Sequence, residues 1–473
     1  MFITSAFDIY KADLYRLKED LINEVVIGQS LNNLKKVLPG GEEESMYFAN
    51  SVITSILDSY CILMKSIFNQ LFTPEQLSEI LGMFFSIPED KSVTESAINQ
   101  NIDTITSLVA KHVNPQVSLH ALFNVFDFIN VKPEVYNSSE QKLDVYCHRY
   151  FAAMTKVFRN LKKDFIEDHH QGIAKFMHKA FLIPQTWEKI IQEPIIDISN
   201  IHKSVLGTFK TFILKLNEVQ LKPVFTKLVK WAGKAIDSKA VRPMKDLDRL
   251  YIFFKASNCL LETLMSIFTP YLSYYIQLLT ELLNEAFEEN HSGALIVFMD
   301  NFTDSSHTRL NIVMVVNTLL ECIRLNYYFD TESTIPVEYF QKVSDSMLHV
   351  MDFYLVKGAM KKDEYLKWIK NVYQKVIVDV LDSLDNTEIT RDFLDDLLKK
   401  SKHDLAPVRL ASLKITEALV YKLEERFLSL LSDLLPYISE ALEDENEEVE
   451  GTARNIIQRI ETMTGESIQQ YLK

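Results

Sequence analysis

Apolar residues return at intervals of three and four along nearly the whole chain, the period of an α-helix that turns one face to a core. Near the C-terminus Phe427, Leu430, Leu431, Leu434, Ile438, Ala441 and Leu442 trace one such stripe, and Val449, Ala453, Ile456, Ile460 and Met463 trace the next. The acidic run 443–448 between them predicts a turn, with negative charge where the second helix begins, at the positive end of its dipole. Gly465 predicts the stop, because glycine takes a left-handed C-terminal cap at no steric cost. Pro436 falls inside the first stripe, where its ring must clash with the carbonyl of Ser432 and bend the helix. Upstream, Asp404 is the expected cap and Pro407 the expected opening residue of a helix carrying Val408, Ala411, Ile415 and Leu419. Helical pairs are expected around 247–289, 310–328, 336–356 and 363–381, and loops at 38–44, 87–92 and 132–141.

The two terminal segments repeat. Aligned at an offset of 41 residues, Val408 stands opposite Val449, Ser412 opposite Ala453 and Ile415 opposite Ile456. A period of about 40 residues marks stacked helix pairs of the HEAT or armadillo kind, each unit burying its apolar face on its neighbours. The expected fold is therefore all-α, a HEAT/armadillo-like α-solenoid of antiparallel helix pairs.

Composition agrees with helices joined by short loops: 473 residues contain only 11 glycines and 13 prolines, with 47% hydrophobic and 24% charged residues. Cys61, Cys147, Cys259 and Cys322 lie far apart, show no metal-ligand spacing, and read as small buried hydrophobes in a reducing compartment. The N-terminus lacks a basic leader ahead of an apolar core, and no uninterrupted apolar run approaches the ~18 residues of a membrane span. A soluble intracellular protein with no membrane partner is expected.

Charge adds a local contrast. The net charge of −15 argues against a general nucleic-acid coat, since phosphate binding depends on Lys and Arg. Residues 202–255 nevertheless hold 12 Lys and Arg against 4 Asp and Glu, leaving a net of −23 for the remainder. Within that stretch Pro223 is expected to start a helix with Phe225, Leu228, Val229 and Ala232 facing inward. Lys227, Lys230 and Lys234 share another face, with Lys222 just ahead of the helix. These four lysines are the candidate contacts for RNA or an acidic partner; a merely solvated face is the plain alternative.

Signs of catalysis are absent. No nucleotide-binding glycine loop, HExxH or GxSxG occurs, so no catalytic residue, cofactor or small-molecule substrate is expected. His169, His170 and His178 lie near Glu167 and Asp168, but eight helical residues separate His170 from His178 by roughly 12 Å, too far to share one ion easily, and no metal is expected. Asp395 and Asp396 have nothing nearby to form a pocket and read as solvated. The 20 tyrosines and 29 phenylalanines fall mostly in helical stripes and read as core.

Two blocks carry a family resemblance. KLNEVQLKPVFTKLVKWAGKA, followed by LDRLYIFFKASNCLLETLMSIFTPYLSYYIQLL, and the terminal KLEERFLSLLSDLLPYISEALEDENEEVEGTARNIIQRIETMTGESIQQYL resemble the C-terminal region of the large HEAT-repeat proteins of the small-subunit processome, the U three small nucleolar RNA-associated protein ten or HEAT repeat-containing protein one family. Asn217, Glu218, Pro223, Phe225, Trp231 and Ala232 occur in an order that generic repeats do not require. The resemblance spans about 200–473, whereas 1–200 are helical in pattern and match nothing recognisable. The expected domains are 1–200, a divergent HEAT-like region; 201–300, a family-like domain with the basic segment; and 301–473, C-terminal HEAT repeats. Members of this family are usually several times longer, and their Val-Arg pair, kept as Val408-Arg409, becomes Val449-Glu450 in the last repeat. The resemblance implies a noncatalytic scaffold in the nucleus and nucleolus, acting in pre-rRNA processing and ribosome biogenesis, with a link to ribosomal DNA transcription. Its implied partners are other processome proteins, the U three snoRNP and pre-rRNA. A HEAT-repeat nuclear transport adaptor of the importin kind is the alternative, because that class is also acidic and helical.

Overall fold

A computed structural model describes residues 53–58, 61, 72–87, 93–131, 140–183, 198–233, 244–285, 306–356 and 360–468. All regular structure among the described residues is helical, and none of their helices is long and apolar enough to cross a membrane. The chain forms two compact units, Met1–Phe225 and Thr226–Lys473.

The first unit contains α1 (Pro74–Phe85), α2 (Val93–His112), α3 (Pro115–Val131), α4 (Glu140–Asn160), α5 (Lys163–Ala180) and α6 (Ile198–Ile213). α1 starts where Thr73 and Gln76 satisfy each other's backbone N–H, Thr73 N to Gln76 Oε1 at 3.1 Å and Gln76 N to Thr73 Oγ1 at 3.3 Å. Each helix lies beside the next but one: α1 packs on α3, α2 on α4 and α4 on α6, while α3 touches α2 and α4 across the layers. Arg149 of α4 is buried with its donors satisfied. Its Nη1 donates to the carbonyls of Phe85 (3.4 Å) and Ile87 at the end of α1, and its Nε and Nη2 reach Asn99 Oδ1 at 3.2 and 2.8 Å.

A further helix, α7 (Glu218–Gly233), contains the boundary between the units. The second unit then holds α8 (Met244–Leu264), α9 (Ile276–Glu285), α10 (Ser306–Phe329), α11 (Val337–Val356), α12 (Lys362–Trp368), α13 (Gln374–Leu384), α14 (Thr387–Lys399), α15 (Ala406–Leu423), α16 (Leu431–Ala441) and α17 (Glu447–Thr464). α8, α10, α13, α15 and α17 stack in one row and α9, α11, α14 and α16 in a second. This is the two-layer array of helix pairs expected of a HEAT-type solenoid. A π-helical turn, Ile369–Tyr373, joins α12 to α13 and is held by buried aromatics. Tyr373 donates to the carbonyl of Met347 (2.6 Å), and Trp368 Nε1 to Asn317 Oδ1 (2.8 Å).

The repeat frame holds in detail: Val408, Ser412, Ile415, Val449, Ala453 and Ile456 are all fully buried. Pro436 lies inside α16, and Gly465 ends α17 in the left-handed conformation at φ 71°. Three expectations need correction. Asp404 does not cap α15; Leu405 takes the cap position with extended backbone, Pro407 sits in the first turn, and the Asp404 carbonyl accepts from Arg409 Nη1 at 3.1 Å. The helical ladder begins at the Leu405 carbonyl, which accepts from the Arg409 N–H at 3.2 Å, so Asp404 stands one residue too early to cap. Cys61, Cys147 and Cys322 are buried but Cys259 only half so; burial pushes the Cys322 thiol up to about 12, as befits an inert core residue. Glu140 and Gln141 open α4 and do not form a loop, while 38–44, 88–92 and 132–139 lie outside the described residues.

Candidate functional site

The sequence placed the candidate lysines on a helix begun by Pro223, but α7 starts five residues earlier. Asn217 and Gln220 close its N-terminus reciprocally, Asn217 N to Gln220 Oε1 and Gln220 N to Asn217 Oδ1, both at 3.0 Å. Pro223 sits inside the helix and faces solvent, so the carbonyl its ring leaves without a partner, that of Val219, lies on the wet side beside a side chain 82% exposed. Leu221, Val224, Phe225, Leu228 and Ala232 form the buried face; Val229 is only half-buried.

Lys222, Lys227 and Lys230 are all exposed on α7, and Lys234 lies outside the described residues. Lys222 belongs to the helix rather than preceding it, and at 100° per residue it stands about 140° around the axis from Lys227. Lys227 and Lys230 are about 60° apart and share a face. Neither is ion-paired among the described residues.

Other cations of the basic stretch have structural duties. The Lys215 ammonium donates to the carbonyls of Arg159 (2.8 Å) and Leu161 (3.2 Å), finishing the C-terminus of α4. The Arg249 guanidinium lies 5.4 Å from the Trp231 ring centroid and joins α8 to α7, and the Lys255 ammonium lies 5.6 Å from the Tyr251 ring centroid.

In the C-terminal repeats, by contrast, cations bind carboxylates of neighbouring helices and turns. Arg409 forms a two-point pair with Asp444, Nε to Oδ2 at 2.7 Å and Nη2 to Oδ1 at 2.8 Å. This contact holds the Asp444 carboxyl below its ordinary range. Arg391 reaches Asp433 (2.9 Å), Lys402 reaches Glu440 (2.7 Å), and Arg426 reaches both Asp382 and Asp385. Glu450, where the family-like arginine is missing, instead pairs with Arg454 on its own helix.

The remaining polar candidates are also occupied. Asp395 and Asp396 take Lys399 at 3.0 and 2.6 Å, and Tyr437 donates to Asp395 at 3.1 Å, so Asp395 ties α14 to α16. The Lys399 contact lowers the Asp395 pKa. The His169 ring stacks on Phe165 at 4.1 Å, with Nδ1 2.9 Å from the Phe165 carbonyl; His170 Nδ1 lies 2.9 Å from that of Glu167. Among the described residues no group of three or more His, Cys, Asp or Glu could hold a metal ion.

Comparison with known sequences gives this helical array a family. A profile of the BP28CT (NUC211) domain matches residues 165–404. The chain belongs to the BP28CT (NUC211) family. The BP28CT match contains all of α7 and its lysines, and both named groups of relatives agree with the resemblance carried by the 217–231 block. HEAT repeat-containing protein 1 of Homo sapiens is 24% identical over 404 residues, covering 85% of this chain and 17% of the human protein. U3 small nucleolar RNA-associated protein 10 of Debaryomyces hansenii is 22% identical over 453 residues, covering 94% of this chain and 22% of the relative. The Candida glabrata protein of the same name is 29% identical over 284 residues, 58% of this chain and 14% of that one. The chain thus spans at most 22% of the length of these three relatives. A match over 94% of the chain also reaches into 1–200, which by sequence reading resembled nothing. Solved structures of importin beta and of karyopherin Kap121p align over 99% of the chain, at 10% and 11% identity with TM-scores of 0.42 and 0.43, covering 56% and 49% of those chains.

Proposed function

We propose that this chain is a noncatalytic scaffold subunit of the small-subunit processome, acting in nucleolar pre-rRNA processing and ribosome biogenesis, with a further role in ribosomal DNA transcription. The observation that carries this reading is the BP28CT match over the lysine-bearing helix, in a chain whose relatives include U3 small nucleolar RNA-associated proteins. Stacked helix pairs offer side chains on long surfaces, a geometry suited to holding several partners. The partners are other processome proteins, with the U three snoRNP and pre-rRNA approached by Lys222, Lys227, Lys230 and Lys234. The proposed domains are 1–200, 201–300 and 301–473, and the proposed location is the nucleus and nucleolus.

Affinity purification of the tagged chain tests this directly. Co-purification of preribosomal proteins with the U three RNA is the expected result. Binding to a small GTPase that depends on its bound nucleotide, without preribosomal proteins, would replace this reading with a transport adaptor of the importin kind.

A further inference from the structure

A second cationic surface lies within the first unit, on α4 and α6. α4 and α6 pack side by side, pinned at Thr155 and Thr208, whose hydroxyl oxygens are 2.8 Å apart; Thr208 Oγ1 also lies 3.0 Å from the Phe151 carbonyl. Above this contact a groove of about 630 Å³ runs between the two helices. Val145, Ala152 and Gly207 give it apolar surface beside the hydroxyls of Thr155 and Ser204, and His148, Lys156, Arg159 and Lys203 also line it. Lys156 is engaged by Asp103 and by Thr106 Oγ1 at 2.9 Å. Arg159 and Lys203 are exposed, have no ion pair among the described residues, and share the groove with no described carboxylate.

A groove of similar size in the second unit is different. About 680 Å³ in volume, it carries Lys370, Lys414 and Lys422, but Lys414 pairs with Glu417 at 2.9 Å and Lys422 with Asp382 at 3.1 Å. Lys370 is exposed there with no ion pair among the described residues, but Glu417 stands in that groove itself, whereas the α4–α6 groove has no described carboxylate in its lining.

We propose that the α4–α6 groove receives an acidic, partly apolar peptide segment of a partner protein. The guanidinium of Arg159 offers a carboxylate a planar two-point fork, and Lys203 a point charge. Level with Thr208, Thr155 sets the register of the helices, which puts Lys203 nine helical positions before Arg159, roughly 13 Å along the groove. An extended peptide covers that distance in about four residues, so two acidic side chains four apart would meet the two cations while an apolar side chain between them meets Ala152 and Gly207. Single-stranded RNA fits less well: Phe151 in the lining is buried, which leaves the His148 imidazole as the one exposed ring, whereas single-strand binders stack successive bases on several.

The test is fluorescence anisotropy on the full 473-residue chain. The probe is a labelled 12-residue peptide with two glutamates four residues apart around a leucine; its controls are a glutamine version and a 12-nucleotide oligouridine. Saturable binding of the glutamate peptide is expected, with affinity at least tenfold lower for the Arg159→Glu/Lys203→Glu double variant. A Cβ at Gly207 meets nothing within 4 Å, so Gly207→Phe fills the groove without a charge change and should lower affinity to a similar degree, while Gly207→Ala retains binding. Lys227→Glu/Lys230→Glu should leave this binding unchanged, which separates the groove from the proposed α7 contact. Helical circular dichroism confirms that each variant folds. Lack of peptide binding, equal binding by the Arg159/Lys203 and Gly207→Phe variants, or tighter binding of oligouridine through Arg159 and Lys203 would overturn the proposal.

Discussion

Each of the five arginines between 374 and 464 meets a carboxylate; three of the contacts join separate helical segments, and a fourth joins α15 to Asp444 in the turn before α17. On α4, α6 and α7, Arg159, Lys203, Lys227 and Lys230 stand exposed with no ion pair among the described residues. Cationic side chains therefore do different work in the two sets. In the C-terminal repeats the arginines hold one segment to another, whereas these four cations remain free for an outside anion, although Lys156 and Lys179 of the first unit do meet Asp103 and Asp127. Net charge along the sequence does not reveal the distinction, because it is set by which carboxylate the packing delivers.

Breaking the repeat core should have the largest effect. Ile456→Ala removes a fully buried side chain from α17 and should cost about 2–5 kcal/mol in urea unfolding, with the loss seen first in the second unit. Arg409→Ala comes next. Its carboxylate partner Asp444 is only 10% exposed, and loss of the two-point contact should cost about 1.5–3 kcal/mol. Because Asp444 has a lowered pKa, the pair contributes stability above the unfolded carboxylate pKa of about 4 and loses it as pH falls through the folded value. The gap between wild type and Arg409→Ala should accordingly narrow on acidification below that point. Asn446→Ala, which removes the side-chain acceptor for the N–H groups of Glu448 and Val449, should cost about 1 kcal/mol. Smallest is Lys227→Glu/Lys230→Glu, expected to change stability by less than about 0.5 kcal/mol. A large loss of stability in that variant would remove the contrast between the two regions.

The stripes of α16 and α17 were legible because each helix buries one face, and the 41-residue offset was legible because equivalent positions meet equivalent neighbours. The start of α7 was misread because Pro223 is a strong local signal for a first turn, while the Asn217–Gln220 closure reveals itself only as a pair. Asp404 was likewise a local signal misplaced by one residue, since the ladder of α15 begins at the carbonyl of Leu405, which has no capping side chain. The α4–α6 groove had no local sequence signal. Arg159 and Lys203 are 44 residues apart, and Arg159 falls outside the basic stretch altogether.

RNA crosslinking to the intact chain tests the central contrast most directly. Reversing Lys222, Lys227, Lys230 and Lys234 to Glu should lower the crosslinking yield severalfold with helical content intact, while reversing the carboxylate-bound Lys402 and Lys422 should leave the yield unchanged. Equal yields from wild type and the α7 variant, or a loss confined to Lys402 and Lys422, would contradict the account.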